Sequence, residues 1–159
     1  MKVAFFHGLE SPHRSEKNEI LEKLFGAKNV YAPAMDYTNP ELYGTVLKHL
    51  EKHPVDLLIG SSMGGYFAHS LSSMVSTPTL LFNPALHSRS FEPENVVTGQ
   101  HRPFQFFVLG KNDTVIDLIK TLFLTIPKEF EYPVGFAIED MEHRIPANIF
   151  EAHTSKYAK

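Results

Sequence analysis

The sequence predicts an α/β fold, a sheet of about six mostly parallel strands with helices on both faces. Three observations carry that expectation. Six short apolar runs alternate with stretches of helical periodicity, the pattern of strands buried on both sides by crossover helices. The third run leads into Gly60-Ser61-Ser62-Met63-Gly64, a G-x-S-x-G pentapeptide at a strand-to-helix junction. The loops after the fifth and sixth runs then supply an aspartate and a histidine, Asp113 and His143, in positions where an open α/β sheet gathers its reactive groups.

The elements follow in order. Residues 3–6 read as the first strand. Residues 15–25 read as a helix with Ile20, Leu21, Leu24 and Phe25 on one side. A short second strand lies near 30–32. The next helix opens with Asn39 as cap and Pro40 in its first turn, buries Leu42, Val46, Leu47 and Leu50, and is stopped by Pro54. Residues 55–59 form the third strand, and the helix after the Ser62 turn runs to about Met74. The fourth strand, 79–82, is bounded by Pro78 and Pro84. The fifth covers 104–109 and precedes a helix over 118–124, for which Asp117 is the N-cap. The sixth is 134–138, and Pro146 starts a last short helix.

One long irregular stretch, 85–103, carries His87, Arg89, Phe91 and His101. It reads as a surface excursion or as a small flap over the Ser62 turn.

Composition sets the outer limits. A chain of 159 residues suits one domain, 1–159, with a core that needs neither metal nor disulfide. Apolar residues at 43% and charged residues at 21% fit a soluble globular protein. A formal charge of −3 offers no electrostatic reason to expect nucleic acid or an anionic membrane as partner. The absence of cysteine excludes a disulfide framework and a thiol nucleophile, and leaves the redox compartment open. The apolar run at the N-terminus is too short for a signal peptide or a spanning helix, so a cytoplasmic location is expected by default. No repeat, low-complexity tract or linker divides the chain.

Two motifs point elsewhere and fail. His49 and His53 lie one helical turn apart, but without the H-E-x-x-H arrangement or an evident third ligand they read as a solvated helix end; no metal is expected. Neither a phosphate loop nor G-x-G-x-x-G occurs, so no cofactor is expected.

By composition the pentapeptide arises by chance in roughly one chain in twenty of this length, so its partners decide. A nucleophilic serine needs a base, a group that orients the base, and donors for an oxyanion. Ser62, Asp113 and His143 supply the side chains in the order serine, acid, histidine. Asp117 competes with Asp113 but lies farther from the strand end and suits the helix cap. Asp140 and Glu142, beside His143, read as solvated loop carboxylates. His7, at the end of the first strand, reads as a residue that organises the adjoining loop. Tyr66 reads equally as core or as pocket lining.

At this point the chain resembles a known family. Gly110-Lys111-Asn112-Asp113-Thr114-Val115-Ile116 resembles the acid loop of α/β-hydrolases, and Met141-Glu142-His143 their histidine loop. Phe5-Phe6-His7-Gly8-Leu9-Glu10-Ser11-Pro12, with Ser15 and Lys17, resembles the opening of the small YqiA-like esterases. Gly60-Ser61-Ser62-Met63-Gly64-Gly65-Tyr66 and Asn83-Pro84-Ala85 resemble that family's elbow and the segment after its following strand. The likeness spans nearly the whole chain. It implies a compact α/β-hydrolase without a large lid, acting on a small-molecule ester or thioester through an acyl-enzyme and without cofactor. Ser62 would be the nucleophile, His143 the base and Asp113 the residue that orients it. The backbone N–H groups of Met63 and Leu9 would form the oxyanion hole. An intervening stretch too short to make a lid domain implies a rather open site, suited to small or exposed acyl groups. Acyl transfer, amide or carbon–carbon hydrolysis on the same residues, or a binding protein that keeps only the fold, are the other functions such a chain could have.

Overall fold

The computed structural model describes residues 1–9, 11–92, 102–126 and 132–158. Among them the strands are β1 (Val3–Phe6), β2 (Val30–Tyr31), β3 (Leu57–Ser61), β4 (Thr79–Phe82), β5 (Gln105–Gly110) and β6 (Val134–Glu139). The α-helices are α1 (Glu16–Phe25), α2 (Leu42–Lys52), α3 (Met63–Val75), α4 (Leu118–Thr125) and α5 (Ala147–Thr154). The strands form one sheet in the order β2-β1-β3-β4-β5-β6, and every pairing is parallel. This is the fold class the alternation predicts, a parallel sheet with helices on both faces, with no lid domain inserted among the described residues.

Side-chain alternation divides the core into two layers, because successive residues of a strand face opposite sides. Ala4, Phe6, Leu58, Leu81, Phe107 and Leu109 face α2 and α3, where Tyr43, Val46, Leu50, Phe67 and Leu71 meet them. Val3, Phe5, Leu57, Ile59, Leu80 and Val108 face α1 and α5, against Ile20, Leu21, Phe25 and Phe150. Phe150 holds the second layer together, with ring centroids 5.5 Å from Phe5 and 5.0 Å from Phe82. Each such side chain contributes about 1.5–3 kcal/mol by leaving water.

The topology also decides where a site can form. From β1 the chain moves outward to β2, then returns to place β3 on the other side of β1. The crossovers therefore diverge at the carboxyl ends of β1 and β3, leaving a crevice there. Register brings those ends level, with Phe6 beside Gly60, Ser61 beside Phe82 and Gly110 beside Glu139.

Two elements differ from expectation by more than one residue. β3 starts and ends two residues later than 55–59, because Gly60 and Ser61 still pair with β1 and β4, while Asp56 exchanges hydrogen bonds with the Lys2 backbone below the strand. α2 begins at Leu42, not at Asn39. The Asn39 side chain accepts from the Glu41 N–H at 2.9 Å, which closes a tight turn ahead of the helix in place of a cap on it. Asp117 does cap α4, accepting from the Lys120 N–H at 2.9 Å. Part of the expected 85–103 excursion, residues 93–101 with His101, lies outside the described residues. No helix among the described residues is long and apolar enough to cross a membrane.

Candidate active site

Ser62 sits between β3 and α3 with φ 54° and ψ −118°, in a region L-residues seldom occupy. Hydrogen bonds hold it there: its N–H donates to the Phe82 carbonyl at 3.0 Å, and its carbonyl accepts from Ala85 and Tyr66 at 3.0 and 3.1 Å. The flanking glycines are steric requirements. A Cβ on Gly60 would lie 2.3 Å from the Gly64 carbonyl oxygen, and one on Gly64 would lie 2.0 Å from that of Phe6. Without side chains at both positions, the first turn of α3 closes onto β3 and β1, and the serine hydroxyl is turned up into the crevice.

The loops after β5 and β6 bring the other two residues to it. Nε2 of His143 is 3.0 Å from Ser62 Oγ, and Nδ1 is 2.8 Å from Oδ2 of Asp113. A carboxylate can only accept, so Nδ1 carries the ring proton and Nε2 offers its lone pair to the serine hydroxyl. The other oxygen of Asp113 accepts from the Val115 and Ile116 N–H groups at 2.8 Å each. Its side chain has no exposed surface, whereas that of His143 is 29% exposed. Asp113 is thus locked in place, and His143 is reachable. Asp117 is occupied by the α4 cap. Asp140 is an exposed loop carboxylate held by Asn112 at 2.7 Å and Lys111 at 3.3 Å; the Asn112 bond, then the Lys111 contact, hold its pKa below the usual value. Glu142 is exposed at the rim.

A fourth residue fixes this geometry. Asn83, buried at the end of β4 with φ 40°, donates from its amide to the carbonyls of Glu142 and His143 at 3.1 and 3.2 Å. Its Oδ1 accepts from the Gly110 N–H at 2.7 Å. One side chain therefore ties the acid loop to the histidine loop. In the sequence Asn83 stands out only as part of an Asn-Pro-Ala segment. Its signal was an asparagine, a residue tolerant of positive φ, directly after a central strand.

His7 is hydrogen-bonded into the loop after β1. Its Nδ1–H donates to the Gly8 carbonyl at 2.8 Å, its Nε2 accepts from the Met35 N–H at 3.2 Å, and its own carbonyl accepts from the Tyr37 hydroxyl. Burial holds its pKa below the ordinary histidine value, overcoming the Gly8 carbonyl that favours the charged ring, with His13 adding a smaller repulsion. The neutral tautomer satisfies both contacts. Gly8 lies against Ser62, where an added Cβ would be 3.3 Å from the serine Cβ.

These residues open onto a cavity of about 1020 Å³, lined by Ser62, His143, His7, Leu9 and Met63 among others. Its size is at the upper end for small-molecule sites and exceeds what small acyl groups would need. Tyr66 does not line it. The ring lies 4.1 Å beneath the guanidinium of Arg89, which is itself paired with Glu92 at 2.6 Å. Among the described residues no group of three or more histidine, aspartate or glutamate side chains converges as a metal site.

Solved structures with this fold come from several bacteria. A protein of the alpha/beta hydrolase superfamily from Xanthomonas campestris pv. campestris is 18% identical, with TM-score 0.75, covering 99% of this chain and 96% of that one. A carboxylesterase from Bacillus cereus is 15% identical, with TM-score 0.65 and coverage of 99% and 86%. An S-formylglutathione hydrolase from Staphylococcus aureus is 13% identical, with TM-score 0.67 and coverage of 99% and 82%. At these identities the likeness is one of fold. No curated protein matches the chain. A family model matches residues 2–95, which hold the β1 loop, the Ser62 turn and Asn83 but not the Asp113 and His143 loops. By that match the chain belongs to the uncharacterised protein family UPF0227.

Proposed function

We propose that the protein is a serine hydrolase that cleaves carboxylic esters or thioesters through an acyl-enzyme. The observation that carries this reading is the unbroken hydrogen-bond chain from Ser62 Oγ through His143 to Asp113, at 3.0 and 2.8 Å. As Oγ attacks the substrate carbonyl, its proton passes to Nε2 of His143, and Asp113 stabilises the resulting imidazolium. The tetrahedral intermediate then collapses and the leaving group departs with the proton from Nε2. Water attacks the acyl-enzyme and gives one proton to Nε2, and Ser62 recovers it as the acid leaves. The oxyanion hole is assigned to the N–H groups of Met63, the residue after the nucleophile, and Leu9, in the His7-anchored loop. Both residues line the cavity with Ser62. One such donor is typically worth about 3–4 kcal/mol of transition-state stabilisation.

The fold adds support, since a carboxylesterase and an S-formylglutathione hydrolase share it. The test is hydrolysis of aryl esters and thioesters by wild type, Ser62→Ala and His143→Ala. Turnover lost in both variants, with folding retained, supports the reading. Turnover that survives both would refute it. An added alcohol or thiol acceptor, with product analysis, separates hydrolysis from acyl transfer.

A further inference from the structure

The cavity extends beyond Ser62 and His143 to the start of α1, and both Lys17 and Arg144 line it. Lys17 is half-buried, and its ammonium lies 5.9 Å from the ring centroid of the buried Phe150. Arg144 is exposed, directly after His143. Four other cations have acidic partners: Arg14 with Glu22, Lys23 with Glu151, Arg89 with Glu92 and Lys111 with Asp140. Among the described residues no carboxylate lies within 4.0 Å of Lys17 or Arg144. The two acids that share the lining, Glu16 and Glu142, are exposed.

These two cations repel. Lys17 has its pKa held below the ordinary lysine value, first by burial and then by the charge of Arg144, with Glu16 opposing more weakly. Two like charges lining one cavity, opposed only weakly by the exposed Glu16, cost free energy in the empty protein. A bound anion would recover that cost and gain charge-assisted hydrogen bonds from both. The third cation on the lining, Arg89, is already committed. Its guanidinium lies over Tyr66, pairs with Glu92 and donates to the carbonyls of Ala85 and Leu86.

We propose that Lys17 and Arg144 form an anion subsite of the Ser62 cavity, so that the preferred ester or thioester carries a carboxylate or phosphate group. This rests on the serine-hydrolase reading and names the substrate class of the same site. Low-dielectric walls on either side of such a pair concentrate its field on an entering anion.

The experiment compares matched neutral and anionic probes. In the carboxylate arm, p-nitrophenyl hemiglutarate is set against p-nitrophenyl butyrate. In the phosphate arm, the acetyl ester of glycerol phosphate is set against that of glycerol, read as acetate release. Wild type is expected to prefer the anionic member of at least one pair by tenfold or more in kcat/KM at low ionic strength, chiefly through KM, and less at high salt. The favoured arm identifies the anion. Lys17→Gln and Arg144→Gln should each cut that preference at least fivefold, and Lys17→Arg should restore most of it. Lys48→Gln, on the exposed face of α2, should leave it unchanged. Arg144, being exposed, keeps the test usable should the Lys17 variant fold poorly.

Equal rates within both pairs, or a preference that survives both glutamine variants, would overturn the subsite while leaving the hydrolase reading intact. If no probe of either charge is turned over, the hydrolase reading falls and the subsite falls with it.

Discussion

Removing the Asn83 amide tests whether the three reactive side chains depend on a tie between their loops. The informative change is Asn83→Gly, which tolerates φ 40° and deletes only the side-chain contacts. Three hydrogen bonds are lost, to the carbonyls of Glu142 and His143 and from the Gly110 N–H. At about 0.5–1.5 kcal/mol each, the loss is roughly 2–4 kcal/mol. For a chain of this size that lowers Tm by on the order of 10 °C. Asn83→Ala should cost about a further 1 kcal/mol, because Ala in the left-handed region is strained. The consequence for activity is larger. With its carbonyl released, the His143 loop can drift, and a displacement near 1 Å can cost about a hundredfold in rate. The assay is kcat and KM on an aryl ester, at least 15 °C below each variant's Tm, so that unfolding does not enter. Asn83→Asp sharpens the comparison, since it keeps an acceptor for Gly110 but turns a carboxylate oxygen towards two carbonyls. Its kcat should fall at least as far. A Tm loss of the expected size with kcat within threefold of wild type in Asn83→Gly would refute the argument and leave Asn83 a tie for stability alone.

The remaining predictions concern the histidines. Asp113→Asn should keep the fold, since an amide oxygen can still accept from Val115 and Ile116. Its NH₂ group would favour the tautomer of His143 that cannot accept from Ser62, and kcat should fall by about 10⁴; a loss under tenfold would contradict the orienting role. His69, on α3, donates to Gln105 at 2.7 Å, and burial, followed by the charge of Arg102, holds its pKa at about 3, Gln105 opposing and Arg89 adding a little. Its folded value lies below the unfolded one near 6.5, so its contribution to stability is complete above pH 6.5 and fades as pH falls from there towards 3. The stability gap between wild type and His69→Gln, from urea melts, should therefore narrow by up to about 2 kcal/mol between pH 7.5 and pH 5; a constant gap would show that His69 takes up its proton as readily in the folded protein as in the unfolded chain.

What the sequence disclosed follows from how local each feature is. The alternation of apolar runs and helical stretches is written residue by residue, so all six strands and the helices between them were legible. Ser62 was legible because its turn demands glycine at 60 and 64, and steric demands leave marks in sequence. Asp113 and His143 followed from chain order once the sheet was assumed parallel. Asn83 was not legible in this way. Its partners lie 27, 59 and 60 residues away, and only the register of β4 against β5 shows that its amide reaches both loops. The start of β3 was misplaced because Val55 is as apolar as a strand residue, while Gly60 and Ser61 carry no strand preference and pair only because their neighbours do. Tyr66 could not be resolved, since a helical residue's surroundings depend on the chain packed against it, here Arg89. Lys17 and Arg144, 127 positions apart, meet only through the folding of α1 against the loop after β6.

The central claim is that Ser62 is an activated nucleophile, and labelling by a fluorophosphonate probe tests it without a choice of substrate. The protein is incubated with the probe, digested, and the modified residue located by mass spectrometry. The account predicts a single adduct on Ser62, absent from Ser62→Ala and strongly slowed in His143→Ala. Folded wild type that takes up no label from a small, freely diffusing probe, or that labels equally well without His143, would contradict it.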